Sequence, residues 1–537
     1  MSSSNGMLDL FDRSSSNSPL TATPKATFRR ESVHDIDDEL ELGKLDFGME
    51  SDKPHAAEGS LDNIHLGQAK TSYARAVAPK RRPPERPDPE DLFDMLLARR
   101  SQPVNHPAKI SSLLLGLAGI VVHDLFRTSE HEDQVASESS HLALTPLYGR
   151  SQEAQDSVRT KVDGKLKPDS FAEVDVVNQP PQVGSDLGHF DSLLMKPSIA
   201  ALINENGRFS LPLQADRLGR HTYKDLLMKR DNDLFRTAHA ITCGLYVQIV
   251  LNDYIRTILS LQQTGSDWQV DARDDLESSF CGAKFGPARG TQISLELNLT
   301  YRWHSAISAK DQRWLEQHIS KLLPNVRIEE MTAQDMLLAM RQFAVRQPSN
   351  PSQRPLAGLH RHDGGNFEDA GLVKILSETT EDAAASFGPR HVPVVLRVVE
   401  IMGIQQARAW DVASLNEVRR YFGLTAHKSF ADITSDPEIA ASLEALYGNV
   451  EDVELYPGVV FEEPCISSNP GSAACSGIST TRAILFDAIA LIQGDKFYRS
   501  DYTPSHLTAF GYKEVSTDRS IAGGGVMYKL LMRALHK

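Results

Sequence analysis

The chain has 537 residues, of which 40% are hydrophobic and 24% are charged. These fractions are ordinary for a globular protein, and they exclude a collagen, a pure coiled coil and a wholly disordered chain. The 57 lysines and arginines are outnumbered by 71 aspartates and glutamates, which gives a net charge of −14. Because contacts with phosphates require clustered cations, this balance disfavours non-specific binding to nucleic acid.

Cysteine content and hydropathy bear on where the protein resides. The four cysteines are too few for a disulfide framework in so long a chain. Cys465 and Cys475 are close enough in sequence to bridge a loop, but reduced thiols are the expectation. The longest apolar stretch, 113–122, is about half as long as a membrane-spanning helix, and the N-terminus lacks the features of a signal peptide. We therefore expect a cytoplasmic protein whose contact with membranes or lipid bodies is at most peripheral.

Three segments of the chain differ in composition. Residues 1–72 are rich in serine and acidic side chains with little apolar periodicity, which predicts a disordered leader, since such a segment cannot offset its ordering entropy. Residues 73–90 include the run PKRRPPERPDP and are predicted to be a proline-rich, basic, extended linker, because prolines and the residues before them avoid helix. Residues 91–537 are predicted to form the folded domain.

Apolar spacing in the folded domain indicates helix in most segments. A buried helix is predicted at 110–126 and a long amphipathic helix at 235–261. Further helices are predicted at 91–97, 309–322, 333–345, 369–385, 394–404, 414–422 and 437–447. Strand patterns are few, and neither a βα repeat nor a glycine-rich dinucleotide turn occurs. The sequence therefore predicts a mainly α domain with few short strands.

Two histidines and one tyrosine are the candidates for chemistry. His123 ends the predicted buried helix, and His304 closes the run Tyr301-Arg302-Trp303-His304. On a helix, Tyr301 and His304 occupy positions i and i+3 on one face. A metal-binding imidazole and an oxidisable phenol could then address one flat cofactor. The alternative is a histidine with only a structural hydrogen bond, since the pattern YxxH is common.

Blocks of sequence from about residue 73 to the end resemble one known family. They include 123–128 (HDLFRT), 146–149 (PLYG), 163–169 (DGKLKPD), 203–209 (INENGRF), 301–304 (YRWH) and 455–458 (LYPG). The chain is similar to the fatty-acid (linoleate) dioxygenase domain of the fungal linoleate diol synthases and psi-factor-producing oxygenases. These belong to the cyclooxygenase-like branch of the animal heme peroxidases. The resemblance implies the helical fold that cyclooxygenase and myeloperoxidase share.

The resemblance also implies roles for individual residues. His304 matches the proximal ligand of the iron of heme b, and His123 matches the distal histidine that assists proton transfer at a peroxide. Tyr301 matches the tyrosine whose radical removes a hydrogen atom from a mid-chain carbon of a fatty acid. Asn416 matches an asparagine that hydrogen-bonds the proximal imidazole, and Arg419 matches an arginine that pairs with a heme propionate.

Two departures from the family pattern count against activity. Family members bind calcium with the aspartate after the distal histidine, here Asp124, and with a loop carboxylate whose position Ala143 occupies. Because calcium prefers several hard oxygen ligands, the sequence predicts a degraded calcium site. Segment 184–197 replaces an apolar helix that lines the heme pocket in the family, and Pro197 falls where a helix interior is expected.

The expected activity is heme-dependent oxygenation of an unsaturated C18 fatty acid of linoleate or oleate type. A peroxide activator starts the reaction, molecular oxygen is the second substrate, and the hydroperoxide product feeds oxylipin biosynthesis. The diol synthases continue into a heme-thiolate domain, whereas this chain ends where the dioxygenase domain finishes, so we expect the hydroperoxide to be released. Two alternatives stay open: a heme peroxidase without dioxygenase activity, and a degenerate, non-catalytic heme-binding or regulatory paralogue. The family precedent allows a homo-oligomer.

Overall fold

Helices form the regular structure of the residues that the computed structural model describes. These are 70–161, 224–261, 293–464 and 475–535, with short gaps at 84, 126–127, 130–133, 137–140, 150, 347, 349–352, 356, 363–366 and 521–523. Most of the predicted leader and all of segment 184–197 lie outside this set. The described residues fall within one structural unit.

The α-helices, numbered in chain order, begin and end as follows. They are α1 Pro89–Leu92, α2 Leu113–Leu125, α3 Thr145–Tyr148, α4 Gln152–Val158, α5 Lys224–Ile249, α6 Ile255–Ile258, α7 Leu295–Thr300, α8 Ala309–Leu322, α9 Ala333–Arg346, α10 Asp369–Glu381, α11 Arg397–Ala409, α12 Leu415–Tyr421, α13 Pro437–Tyr447, α14 Leu455–Phe461, α15 Ile478–Gly494, α16 Pro504–Val515 and α17 Val526–Leu535. Wider π turns occur at Phe93–Leu97, Val250–Tyr254 and Phe497–Asp501. Tighter 3₁₀ turns occur at His304–Ala306, Ile328–Glu330, Val394–Leu396, Phe430–Asp432 and Val450–Asp452.

The predicted mainly α architecture is confirmed, and two predicted helices, α8 and α13, have the bounds that the apolar spacing indicated. The few short strands that the sequence predicted are not found in the described ranges. The described ranges contain only isolated β-bridges, such as Ser414 with Glu454. The reason is local, because Ser414 is the N-cap of α12 and Glu454 is the N-cap of α14. Both segments enter a helix at the next residue, so the β-bridge between them cannot extend into a ladder.

The first half of the segment predicted to be a linker, 73–90, is attached to the helical domain. Tyr73 is buried, and the backbone N–H groups of Ala76 and Val77 each donate to the carboxylate of Glu296 at 2.9 Å. The Arg75 guanidinium donates to two backbone carbonyls that follow α11. The segment is extended, as its prolines require, but its remaining backbone donors and its arginines attach it to the helical domain.

Helix α7 positions the candidate site within the main core. Its N-cap, Ser294, accepts a hydrogen bond from the Leu297 N–H at 2.9 Å, and every residue of the helix is buried. α7 packs against both α14 and α15, and α14 in turn packs against α11 and α12. A helix enclosed in this way has little freedom to shift, so the residues that follow it are held rigidly.

One described stretch, Asp231–Ile258, is long and apolar enough to cross a membrane, and 56% of its most apolar window is buried within the protein. It extends well beyond 113–122, the stretch expected to be longest. Core helices also meet this criterion of length and hydropathy. The stretch packs against α16 and contributes to a second apolar cluster that includes Ile241, Leu251 and Leu507. Its apolar surface is therefore used in the interior packing of the domain.

Candidate active site

The candidate site begins where α7 ends. Tyr301 has φ −77° and ψ 64°, outside the helical range, and the Arg302 N–H donates to the carbonyl of Thr300 at 2.8 Å. His304 starts a separate 3₁₀ turn. The prediction that Tyr301 and His304 share one face of a single helix is therefore wrong. The local hydrogen bond to Thr300 ends the helix before both side chains, so each takes its direction from its own turn.

The imidazole of His304 is bonded to a carboxylate from a distant helix. Its Nδ1 lies 2.5 Å from Oε1 of Glu400 on α11, and the two residues are 6% and 1% exposed. A carboxylate at Nδ1 holds the ring proton there, so that Nε2 carries the lone pair that binds a metal. The same bond fixes the ring orientation and raises its basicity. The pair has the chemistry of a metal-binding histidine with its orienting partner.

Glu400 was missed by the sequence analysis. It lies 96 residues from His304, so no local spacing connects the two. The available signal was a lone carboxylate in the apolar run Val398-Val399-Glu400-Ile401-Met402. A charged side chain on the buried face of an amphipathic helix is rarely tolerated unless it is paired.

The predicted hydrogen bond from Asn416 to His304 is wrong. The Asn416 Nδ2 donates to the carbonyl of His427 at 2.9 Å and to Glu451 Oε1 at 3.2 Å. Its Oδ1 accepts from the N–H of His427 at 2.8 Å. The amide is thus committed to the loop after α12, and Glu400 takes the position at the imidazole that the resemblance assigned to asparagine.

Arg419 also differs from its predicted role as the partner of a heme propionate. Its Nη1 donates to Glu462 Oε1 at 2.7 Å and to the hydroxyl of Ser479 at 3.0 Å, and its Nε donates to the carbonyl of Thr425 at 2.8 Å. The guanidinium is buried. Because its charge is already balanced by a buried carboxylate, Arg419 serves to join α12, α14 and α15, and we do not assign a propionate to it.

The phenol of Tyr301 is hydrogen-bonded to a second phenol, that of Tyr254. Both are buried, and burial raises the pKa of both hydroxyls above the ordinary tyrosine value. Both phenols are therefore neutral near pH 7. The hydroxyl of a third tyrosine, Tyr246, is shielded from solvent and has no hydrogen-bond partner. A buried, neutral phenol with a hydroxyl beside it can lose an electron while its proton stays within reach of the partner.

An apolar cavity of about 100 Å³ borders Tyr301. Its described wall consists of apolar side chains, four tyrosines and one carboxylate: Val121, Leu125, Leu142, Tyr246, Val247, Val250, Tyr254, Ile255, Leu297, Tyr301, Ile484, Ala488, Leu491, Ile492, Asp495 and Tyr498. Asp495 accepts hydrogen bonds from the N–H groups of Leu142 and Tyr498, both at 2.8 Å. A wall of this kind accepts a hydrocarbon chain, whereas the carboxylate of Asp495 repels an anionic group.

The remaining predicted residues are not among those that border the cavity. His123 is in α2, but its side chain is outside the described residues, so its distal role stays a prediction. Asp124 is buried. The Ala143 carbonyl is bonded to Nε2 of His239 at 2.8 Å. Within the described ranges no group of three or more His, Cys, Asp or Glu could bind a metal ion. The degraded calcium site likewise stays a prediction, as do the consequences of segment 184–197.

Comparison with known proteins places this geometry in a family. The family model named animal haem peroxidase matches residues 224–522, which is more than half of the chain and includes both Tyr301 and His304. The chain belongs to the animal haem peroxidase family. The resemblance drawn from the sequence blocks is thereby confirmed at the level of the family.

Individual relatives of this chain agree with the assignment to the peroxidase family. Psi-producing oxygenase A of Aspergillus fumigatus is 44% identical over 485 residues, which cover 89% of this chain and 44% of that protein. Linoleate diol synthase of Gaeumannomyces graminis is 42% identical over 514 residues, which cover 94% of this chain and 43% of that protein. The chain thus spans less than half the length of these curated relatives.

A solved structure supports the fold of this family member. The fatty acid alpha-dioxygenase of Oryza sativa matches with a TM-score of 0.53 at 16% identity, covering 87% of this chain and 82% of that one. At this identity the likeness shows the fold alone. It agrees with the helical peroxidase fold that the resemblance predicted.

The residues present fit the heme that the family name implies. Heme iron in a peroxidase needs an imidazole ligand, and His304, whose Nδ1 is bonded to Glu400, has an oriented ring that can provide it. The second oxygen of Glu400, Oε2, is buried without a hydrogen-bond partner, so the carboxylate directs its only described hydrogen bond at the imidazole. This donor set suits iron in a porphyrin better than calcium, which prefers several oxygen ligands.

Proposed function

We propose that the chain is a heme-dependent dioxygenase that converts an unsaturated C18 fatty acid to a hydroperoxide. One observation carries the proposal: the buried phenol of Tyr301 borders an apolar cavity and lies three residues before an imidazole that is oriented by a carboxylate. An oxidisable group thus separates a metal-binding residue from a space suited to hydrocarbon. The names of the relatives, which include linoleate diol synthase, agree with a fatty acid as the substrate.

The residues divide the work as follows. His304 would hold the heme iron, and Glu400, bonded to Nδ1, keeps the imidazole oriented. With a peroxide as oxidant, bound heme would supply the one-electron oxidation that turns the Tyr301 phenol into a phenoxyl radical. Tyr254 shares a hydrogen bond with that phenol and so fixes the direction of its hydroxyl.

The phenoxyl radical of Tyr301 then takes one hydrogen atom from a mid-chain carbon of the fatty acid. Molecular oxygen adds to the resulting carbon radical, and return of a hydrogen atom from Tyr301 to the peroxyl group gives the hydroperoxide and restores the radical. Apolar side chains such as Leu297 and Ile484 enclose the hydrocarbon and exclude water from these radicals. Asp495 keeps the carboxylate of the fatty acid away from its end of the cavity, because like charges repel.

Oxygen uptake tests the proposal directly. Heme-loaded protein is incubated with linoleic acid and a trace of hydroperoxide, and uptake is followed with an oxygen electrode. We expect wild-type uptake to be abolished in Tyr301→Phe and retained in Tyr512→Phe, a matched control on α16 that does not border the cavity. Wild-type uptake no greater than that of Tyr301→Phe would reject the proposal. Reduction of peroxide that persists in Tyr301→Phe without oxygen uptake in either protein would instead indicate an ordinary peroxidase.

A further inference from the structure

Arg302 is a buried cation for which the described residues provide no hydrogen-bond acceptor. Its side chain is 9% exposed, and its Nε and Nη2 atoms are shielded from solvent with no hydrogen-bond partner. The guanidinium carbon lies 5.5 Å from the centroid of the Tyr456 ring, a cation–π contact that compensates the charge only in part. A buried charge without hydrogen bonds is costly, more so than a neutral group in the same state.

The other buried arginines in the described ranges each donate at least one side-chain hydrogen bond, and Arg482 donates to the carbonyl of Phe422 at 3.3 Å. Arg99 donates to the carbonyls of Ser305 and Ile307 and to further acceptors. Arg159 is paired with Asp231, and Arg419 with Glu462. The fold thus supplies partners for buried guanidinium groups where no ligand is needed. Of the five buried arginines in the described ranges, Arg302 alone makes no side-chain hydrogen bond, and it is the one adjacent to the candidate site.

The surroundings of Arg302 indicate which ligand supplies the missing acceptors. It lies two residues before His304, and Tyr456, whose ring it approaches, packs against Gly403 on α11, three residues after Glu400. A ligand that reaches Arg302 therefore borders the imidazole site. The planar guanidinium fork matches a carboxylate, which accepts two parallel hydrogen bonds from it. A flat metal complex that carries carboxylates satisfies both requirements.

We propose that Arg302 is the binding site for a ligand carboxylate, namely a propionate of the porphyrin that His304 holds. The inference rests on the proposed function for the identity of that porphyrin. The carboxylate of a fatty acid has the same chemistry, and the experiment separates the two sources. Arg302 takes the role that the sequence resemblance gave to Arg419.

The first arm compares hemin with hemin dimethyl ester, in which both propionates are capped. Full-length apoprotein is titrated with each porphyrin, and binding is followed by the Soret band. We expect the wild type to bind hemin about tenfold to hundredfold more tightly than the ester, the effect of one or two hydrogen bonds to a charged group. Arg302→Gln should lose that preference by weakening hemin alone, and Arg302→Lys, which keeps the charge without the fork, should be intermediate.

The second arm compares linoleic acid with linoleyl alcohol as ligands of the heme-loaded protein. A preference for the acid that disappears in Arg302→Gln, with the hemin preference intact, would assign the site to the substrate carboxylate instead. Arg313→Gln, an exposed arginine on α8, is the matched control and should behave as the wild type in both arms.

Two results overturn the proposal. The first is an Arg302→Gln variant that distinguishes both pairs of ligands as well as the wild type does. The second needs no variant: a wild type that binds hemin and its ester equally, and acid and alcohol equally, has no carboxylate site at Arg302. The preference for hemin is measured without turnover. Its presence in a protein that takes up no oxygen would reject the dioxygenase function and leave the Arg302 site intact.

Discussion

A buried ionic network joins the helices around the candidate site and gives a quantitative prediction. The Glu462 carboxylate, just after α14, accepts hydrogen bonds from Arg419 and Ser479, both at 2.7 Å, and contacts the His427 ring at 3.0 Å. Burial alone raises the pKa of Glu462, but the bonds and charges of His427 and Arg419 outweigh burial and lower the pKa to about 2 from an ordinary 4.5. A difference of that size corresponds to about 3 kcal/mol of folding free energy.

The sign of the pH dependence follows from the lowered pKa. Because the folded protein holds the proton of Glu462 less tightly than the unfolded chain, the stabilisation is fully present above pH 4.5 and is lost as the pH falls towards 2. Urea unfolding of the wild type between pH 6.5 and pH 3 should therefore show a loss of stability that Glu462→Gln lacks. At pH 6.5 the variant should be less stable by about 3–5 kcal/mol, since it leaves Arg419 buried and uncompensated.

A matched substitution isolates this contribution. Glu444 is exposed on α13, so Glu444→Gln should retain the acid sensitivity of the wild type. If the stability of Glu462→Gln instead runs parallel to that of the wild type over the whole pH range, the carboxylate is not responsible for the acid sensitivity and the reasoning is refuted. Loss of the Soret band of heme-loaded protein over the same pH interval would connect the network to the site, because α14 and α15 both pack against α7.

Three further substitutions test the site itself. Glu400→Gln should weaken hemin binding about 10- to 100-fold in a Soret titration and should raise the iron reduction potential in potentiometry. An unchanged potential would contradict the role of the Glu400 carboxylate at the imidazole. Tyr254→Phe removes the hydrogen-bond partner of the Tyr301 phenol and should lower oxygen uptake about tenfold or less. The tyrosyl radical signal in electron paramagnetic resonance should also change. An unaltered signal would count against the hydrogen bond between Tyr254 and Tyr301. Gly403→Ala sets a methyl group 2.5 Å from the hydroxyl of Tyr456 and should destabilise the fold by about 1–3 kcal/mol in urea unfolding; wild-type stability would show that the ring moves freely.

The sequence predicted the helices well because their signal is local. Apolar side chains recur every three to four residues in α8 and α13, and an aspartate or serine caps each start, so the bounds follow from neighbouring residues alone. The segment 73–90 shows the limit of this reasoning. Its prolines correctly indicate an extended backbone, but its attachment to the domain depends on Glu296, more than 200 residues later, which no local pattern reveals.

The candidate site likewise has parts that local sequence predicted and parts that depend on tertiary contacts. Tyr301 and His304 were identified because they are close in sequence and match a family motif, and their side chains are buried as a functional pair requires. Their shared helix was predicted wrongly, since the end of α7 is set by one backbone hydrogen bond. Asn416 matched a motif, but the loop after α12 captured its amide. Glu400 had no motif at all, because its hydrogen bond with His304 is a tertiary contact between α11 and the 3₁₀ turn that follows α7.

Several buried polar groups near the candidate site lack hydrogen-bond partners. Glu462 is fully bonded within the protein, whereas the Tyr246 hydroxyl, two guanidinium nitrogens of Arg302 and one oxygen of Glu400 are buried without hydrogen-bond partners. Such groups destabilise a folded protein unless a ligand supplies the missing bonds. Arg302 and Glu400 both adjoin the His304 region, where a charged ligand can satisfy the cation, and Tyr246 borders the apolar cavity, where oxygen and substrate would meet. Around Tyr301, buried polar groups without a partner therefore occur both beside His304 and along the apolar cavity.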